Sequence, residues 1–203
     1  YTDVASDFYT DYFRDSNTTN DSVNQLQLTN KLLLCMNFSN DSTKNRFKIY
    51  LGLKNNLFRY AIDSTHKHDY NSTSLTSNLF FKYNRTNLYA EANYCLFGDY
   101  AYDVDANAKL RQMFSENTGL KAQIGYSLTS ANPLNQIYYG NNFQWENDFA
   151  KNGIASANVE FFMEKYFLAV GADMNLLHNY IIYGYDAKPK PINSANIVVD
   201  VSA

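Results

Sequence analysis

The chain has 203 residues, among them 18 Tyr and 14 Phe against 1 Trp, and a mean hydropathy of -0.44. Its net charge of -3 excludes the broad basic surface with which proteins neutralise nucleic-acid phosphates. No apolar run approaches the ~20 residues of a membrane helix, so the many aromatic rings must be sorted onto faces of something shorter.

Residues 1–22, rich in Asp, Tyr, Ser and Asn, are expected to form an external loop, with strands over 23–203. Asp3, Asp7, Asp11 and Asp15 recur every fourth residue there; on a helix they would stack like charges, so a loop is preferred over a calcium site. The first predicted strand runs from Gln25 to Phe38, with Leu26, Leu28, Leu32, Leu34, Met36 and Phe38 on one side. Gln25, Gln27, Thr29 and Lys31 take the other, because strand side chains alternate in direction. After a turn at 39–45, the second sets Phe47, Ile49, Leu51 and Leu53 against Lys48, Tyr50, Gly52 and Lys54.

A long connection is expected over Asn56–Asn71. It holds His66 and His68, with Asp63 and Asp69 near them, a weak candidate for a transition metal because no third ligand is fixed. The third strand carries Leu75, Leu79, Phe81 and Tyr83 opposite Thr76, Asn78 and Lys82, and a tight link at 84–87 leads to the fourth, Leu88–Leu96. The fifth, Asp99–Leu110, alternates most clearly: Tyr100, Tyr102, Val104, Ala106, Ala108 and Leu110 face Asp99, Asp103, Asp105, Asn107 and Lys109. The sixth places Leu120, Ala122, Ile124, Tyr126 and Leu128 against Lys121, Gln123, Gly125 and Ser127.

Asn132-Pro133 marks a turn inside the loop 130–140. Further strands are expected at Asn142–Phe149, Ile154–Met163, Tyr166–Leu176, Tyr180–Tyr185 and Asn196–Ser202, with Asp186–Ala195 as an outer loop. Two-faced strands of about ten residues, separated by turns, are the pattern of a membrane-spanning barrel. The fold class expected is therefore all-β: an antiparallel, up-and-down transmembrane β-barrel, or a partial barrel wall of about 10–11 strands. The main alternative is a soluble or secreted β-sandwich or barrel that binds a ligand with its apolar faces turned inward.

Cys35 and Cys95 have no metal or redox spacing, and no disulfide is expected between them. The Asn-x-Ser/Thr triplets match what chance gives in a chain so rich in these residues. No secretion signal is visible, and the chain stops at Val201-Ser202-Ala203 rather than on the aromatic residue that barrel-assembly machinery reads; a piece of a longer chain is expected. His178 and scattered serines lack the fixed nucleophile, base and orienting group that serine catalysis needs, so no enzyme activity and no cofactor are expected.

The run Tyr138-Tyr139-Gly140-Asn141-Asn142-Phe143-Gln144-Trp145-Glu146-Asn147-Asp148-Phe149 resembles a sequence block of the β-barrel porins of Bacteroidetes outer membranes. Asn179-Tyr180-Ile181-Ile182-Tyr183, followed by Pro189 and Pro191, is similar to a second block of that family, and Leu96-Phe97-Gly98-Asp99 to its Gly-Asp turn. The resemblance covers 88–203 and departs from the family pattern at Lys190. It implies a segment of a large single-chain barrel in a bacterial outer membrane, passing small hydrophilic solutes, with the lipid bilayer and the assembly machinery as partners. It carries no catalytic motif. On that reading the polar strand positions line a pore: Lys31, Lys48, Lys54, Lys82, Glu91, Asp103, Asp105, Lys109, Lys121, Glu146, Glu160 and Asp173. Tyr100, Tyr102, Phe143, Trp145, Phe149 and Tyr166 would anchor the wall at the membrane interfaces.

Overall fold

The computed structural model describes residues 11, 13, 21–38, 45–62, 66–192 and 196–202, with backbone alone for 196 and 198–202. Nine strands form one antiparallel sheet: β1 (Asn24–Asn37), β2 (Arg46–Ala61), β3 (Lys67–Tyr83), β4 (Thr86–Gly98), β5 (Val104–Met113), β6 (Thr118–Thr129), β9 (Asn152–Met163), β10 (Leu168–His178) and β13 (Asn196–Ser202). Each pairs with the next along the chain, so the topology is up-and-down; β1 and β13 are its edges, and the sheet does not close on itself. Two small hairpins stand apart from it, β7 (Ile137–Tyr139) with β8 (Gln144–Glu146), and β11 (Tyr180–Tyr183) with β12 (Pro189–Ile192).

The wall was expected to have about 10–11 strands; among the described residues it has nine, for two reasons. Asn142–Phe149 yields only the short β8, whose partner is the local β7, and Tyr180–Tyr183 pairs with Pro189–Ile192 inside the supposed outer loop. Removing both from the wall makes the connections regular. At one end β1–β2, β3–β4, β5–β6 and β9–β10 are joined by 38–45, 84–85, 114–117 and 164–167. At the other end lie 62–66, 99–103 and the two long connections, 130–151 and 179–195. These are called the short-turn end and the long-loop end.

Two further boundaries differ from expectation. The long connection over Asn56–Asn71 is instead the paired ends of β2 and β3, in register from Asn56↔Ser72 to Tyr60↔His68 and on to Ala61↔Lys67. The beginning of the fifth strand is a turn: Gly98 has φ 99° and Tyr102 φ 67°, and a Cβ on Gly98 would lie 1.9 Å from the Asn71 carbonyl oxygen. The bulge at Thr73/Ser74 leaves Leu96 unmatched and swings Phe97 over to face Thr73.

Cross-strand register sorts the side chains into two faces. Leu32↔Leu53↔Leu75↔Tyr94↔Val104↔Leu128 is one row of the first, and Ala90↔Ala108↔Ile124↔Ala157↔Met174 is part of another. The opposite face carries the polar alternates, such as Asn78↔Glu91↔Asn107↔Gly125↔Ser156↔Asn175. Burial runs opposite to that of a water-soluble sheet. On the apolar face Leu32, Leu34 and Ile124 are 71, 72 and 63% exposed, whereas the polar face holds Tyr60, Thr76 and Phe162 at 0, 1 and 5%. Large contiguous apolar patches are rare on soluble monomers and mark surfaces that meet a partner or a membrane.

Aromatic rings gather along the apolar face at the short-turn end. Phe38, Phe47, Phe81 and Tyr83 follow one another at ring-centroid distances of 5.6, 6.2 and 6.3 Å. Between the bulky residues, Ala90, Ala92, Ala106 and Ala108 leave a groove of about 490 Å³. That groove lies on the apolar face, away from most of the charged strand residues.

Candidate functional site

The charged strand residues converge on the polar face, and the register shows how. Lys31, Lys48, Lys54 and Lys82 come from β1–β3; Glu91, Asp105, Lys109 and Lys121 from β4–β6; Glu160 and Asp173 from β9 and β10. Most of the acidic side chains on this face have partners. The Lys121 ammonium lies 2.6 Å from Glu160 Oε1, and Tyr89 donates its hydroxyl to Glu91 at 2.7 Å while accepting from Asn78 Nδ2 at 3.1 Å. Asn158 donates to Asp173 at 2.6 Å. Below Arg111 and Lys121 sits the buried ring of Phe162, 5.3 and 4.9 Å away from the two cationic groups, an arrangement favoured by the ring quadrupole.

Two residues expected on this face lie elsewhere. Asp103 falls in the β4–β5 turn, where its carboxylate accepts from the Ser130 N–H at 3.0 Å and the Ser130 hydroxyl at 2.8 Å. The Lys151 ammonium is 2.5 Å from it and also donates to the Ala101 carbonyl at 2.6 Å. This part-buried cluster pins the long connection to its neighbour. Glu146 belongs to β8, outside the wall.

The long connection 130–151 folds over the long-loop end. Asn132 caps a single helical turn, α1 (Pro133–Gln136), by accepting from the Leu134 N–H at 2.9 Å, with Pro133 set where no N–H is required. The chain then enters β7, and the Tyr60 hydroxyl, rising from the polar face, donates to the Ile137 carbonyl at 2.5 Å. One ring pair continues the contact, His66 on Tyr139 at 4.3 Å, while beside it Tyr60 stacks on His68 at 5.3 Å and Tyr70 on Tyr100 at 5.8 Å within the wall and its β4–β5 turn. The insert therefore leans across the polar face rather than away from it.

The tip of that insert is buried. Asn141 accepts from the Phe13 N–H at 2.8 Å and donates its own N–H to Asp21 at 2.9 Å, while Asn142 Nδ2 donates to the Asp11 carbonyl at 3.2 Å. The second long connection joins in through the Tyr183 hydroxyl, which donates to Asn135 Oδ1 at 2.8 Å. Hydrogen bonds thus tie the two loops together and hold Asp11, Phe13 and Asp21 against the insert at this end.

The aromatic residues singled out from the sequence belong to the insert and to the turns. Trp145 stacks on Tyr138 at 4.8 Å and donates Nε1–H to the Leu134 carbonyl at 2.9 Å, so its indole closes the insert and does not stand on the outer wall. Phe143 and Phe149 flank β8 and are half-buried. Tyr100 is half-buried against Tyr70; burial, and then the neighbouring Tyr70, Asp99 and Asp103, push its phenol above the ordinary range. Tyr102 and Tyr166 are exposed in turns at opposite ends. The girdle of rings on the apolar face, Phe38, Phe47, Phe81 and Tyr83, instead runs across β1–β3, with Phe81 and Tyr83 two residues apart on β3. Its members were visible as apolar alternates, but their adjacency depends on register.

His66 and His68 do not assemble a metal centre. Each ring is stacked on a tyrosine, Asp69 lies on the opposite face with Arg59, and Asp63 lies outside the described residues. Among the described residues no group of three His, Cys, Asp or Glu side chains is placed to hold an ion. Of the spaced aspartates, Asp3, Asp7 and Asp15 fall outside the described residues too. Cys35 and Cys95 are free thiols, the first exposed and the second buried. His178 stands opposite Gly153 at the end of β10, and the Asn179 side chain donates to the Lys151 carbonyl.

A protein-family model described as "Putative porin" matches residues 1–201. No curated protein and no solved structure matches the chain.

Proposed function

The chain belongs to the family described as putative porins, and from that premise we propose that its sheet is wall of a water-filled channel in a bacterial outer membrane. Small hydrophilic solutes pass through it down their own gradients. The apolar face meets the lipid, the polar face meets the solute, and the charged residues on the polar face set selectivity. The insert at 130–151 narrows the passage at the long-loop end, which faces outward if the short turns face the periplasm. The lipid bilayer and the barrel-assembly machinery are its partners, and no covalent step is assigned to any residue.

The observation that carries this reading is the inverted burial. Water exposure of Leu32, Leu34 and Ile124 together with burial of Thr76 and Tyr60 is costly for a protein surrounded by water. Surrounded by hydrocarbon, the same arrangement is favourable, because the strands need apolar side chains outward and hydrogen-bonded backbone between them. A soluble ligand-binding sheet would bury its leucines.

The test is permeability of proteoliposomes containing the full-length protein, measured with a series of neutral sugars of rising size. Entry of small sugars that falls with size supports the channel. A protein that stays folded and monomeric without detergent, and leaves the vesicles sealed, overturns it.

A further inference from the structure

On the polar face, β1–β3 carry Lys31, Arg46, Lys48, Lys54 and Lys82 and, among the described residues, no Asp or Glu. Register places four of these in two direct cross-strand pairs: Lys31 opposite Lys54, and Arg46 opposite Lys82. Like charges directly opposite each other weaken a sheet. Two such pairs on one arc are therefore a local cost that the fold itself does not explain.

No ion pair joins any of these five side chains to a carboxylate among the described residues. Farther along the same face cations meet carboxylates: Lys121 is paired with Glu160, and Arg111 with Glu164 in the adjoining turn, while Lys109 stands without an ion pair among the described residues. Carboxylates of this face, Glu91, Asp105, Glu160 and Asp173, begin only at β4. The whole chain is negative, at -3, so the positive arc is a local enrichment and not a reflection of composition.

Resting on the channel reading above, we infer that the passage favours small oxyanions, solutes bearing carboxylate or phosphate groups. The pairs Lys31–Lys54 and Arg46–Lys82 are their successive contacts. Lys54 lies partway along β2 and Arg46 at its short-turn end, eight residues on, which is about 26 Å of extended strand. Lys48, two residues from Arg46, points to the same face and bridges part of that span. An ammonium is a compact charge that attracts either oxyanion without demanding one geometry, as passage requires. Rings and arcs of one sign act in this way on ions in a pore.

The experiment is the reversal potential of the full-length protein in planar bilayers under a potassium chloride gradient. Anion selectivity is expected, shifting toward zero in Lys31→Gln/Lys54→Gln and changing sign in Lys31→Glu/Lys54→Glu. Arg59→Gln/Asp69→Asn, which removes a neutral ion pair from the opposite, apolar face, leaves the potential in place. Each variant is checked for faster migration of the unboiled protein in SDS gels, so loss of folding is seen separately. Gradients of sodium succinate and sodium phosphate then distinguish carboxylate from phosphate solutes, and a potential set by the anion in either supports the inference. Conductance that is cation-selective, or that ignores Lys31 and Lys54, overturns this inference and leaves the channel standing. Absence of any conductance overturns both.

Discussion

The nine-stranded wall and the insert at its long-loop end are built on opposite rules. In the wall, leucines and isoleucines are exposed and serines, threonine and tyrosine are covered. In the insert, Ala131, Pro133 and Gly140 are buried, and each buried Asn of its tip has hydrogen-bond partners, as in a small water-soluble fold. On the channel reading proposed above, one chain satisfies two solvents. Side-chain alternation suffices for the wall, where neighbouring strands supply the backbone partners everywhere but at the outer edges of β1 and β13. The insert, without that ladder, relies on an Asn cap, an indole N–H and a carboxylate cluster.

The strongest way to break this comparison is a charge on the outer wall. Ile124→Arg, at a residue 63% exposed, is expected to cost about 2–4 kcal/mol in a bilayer, the depth-dependent penalty for a cation on a barrel's outer surface. In a soluble protein an exposed site of this kind would change stability by only about 0.5 kcal/mol. Urea unfolding in lipid vesicles, followed by gel mobility, separates the two. An unchanged midpoint would mean that the apolar face does not meet lipid.

The same contrast explains what the sequence revealed. The faces of β1, β5 and β6 were readable because Leu, Ala and Ile alternate with Gln, Asn and Lys over many residues. The far ends of β2 and β3 were not, since Asn56, Arg59, Asp69 and Asn71 have the composition of a loop, yet they pair across the strands. Alternation misled in the other direction at 99–103 and 142–149. There Tyr-Asp and Phe-Trp spacing imitates a strand, while a positive φ at Tyr102 and the short β7–β8 ladder form turns. The face of each lysine followed from parity alone. That Lys31 meets Lys54 did not, because register across a turn is fixed by contacts that local pattern does not contain.

A smaller effect sharpens the boundary between the two regions. Asp103→Ala removes the acceptor shared by Ser130 and Lys151 and leaves a part-buried ammonium with only the Ala101 carbonyl. The expected loss is about 2 kcal/mol, in the range for hydrogen bonds to a charged group. It should fall on the insert: amide exchange at 130–151 accelerates while β1–β3 keep their protection. Equal acceleration in both would show that wall and insert open as one unit.

The smallest effect concerns the β11–β12 hairpin. The Asp186 carboxylate accepts from Lys190 at 2.9 Å and from the Lys188 N–H at 3.4 Å, and chiefly the first of these holds its pKa below the ordinary carboxylate value. In the unfolded chain the group titrates near 3.9. A depressed native pKa contributes stability that is present above the unfolded value and is lost as pH falls through the native one. The hairpin contact should therefore survive mild acid and weaken only below about pH 4. Because the carboxylate is exposed, salt should reduce the shift. Carbon NMR titration of Asp186 should show a midpoint below the usual value that returns toward it in Lys190→Ala. If the midpoint is already ordinary in the native chain, the pair does not hold the turn, and the hairpin depends on its own ladder and on the contacts of Tyr183 with Asn135 and Trp145.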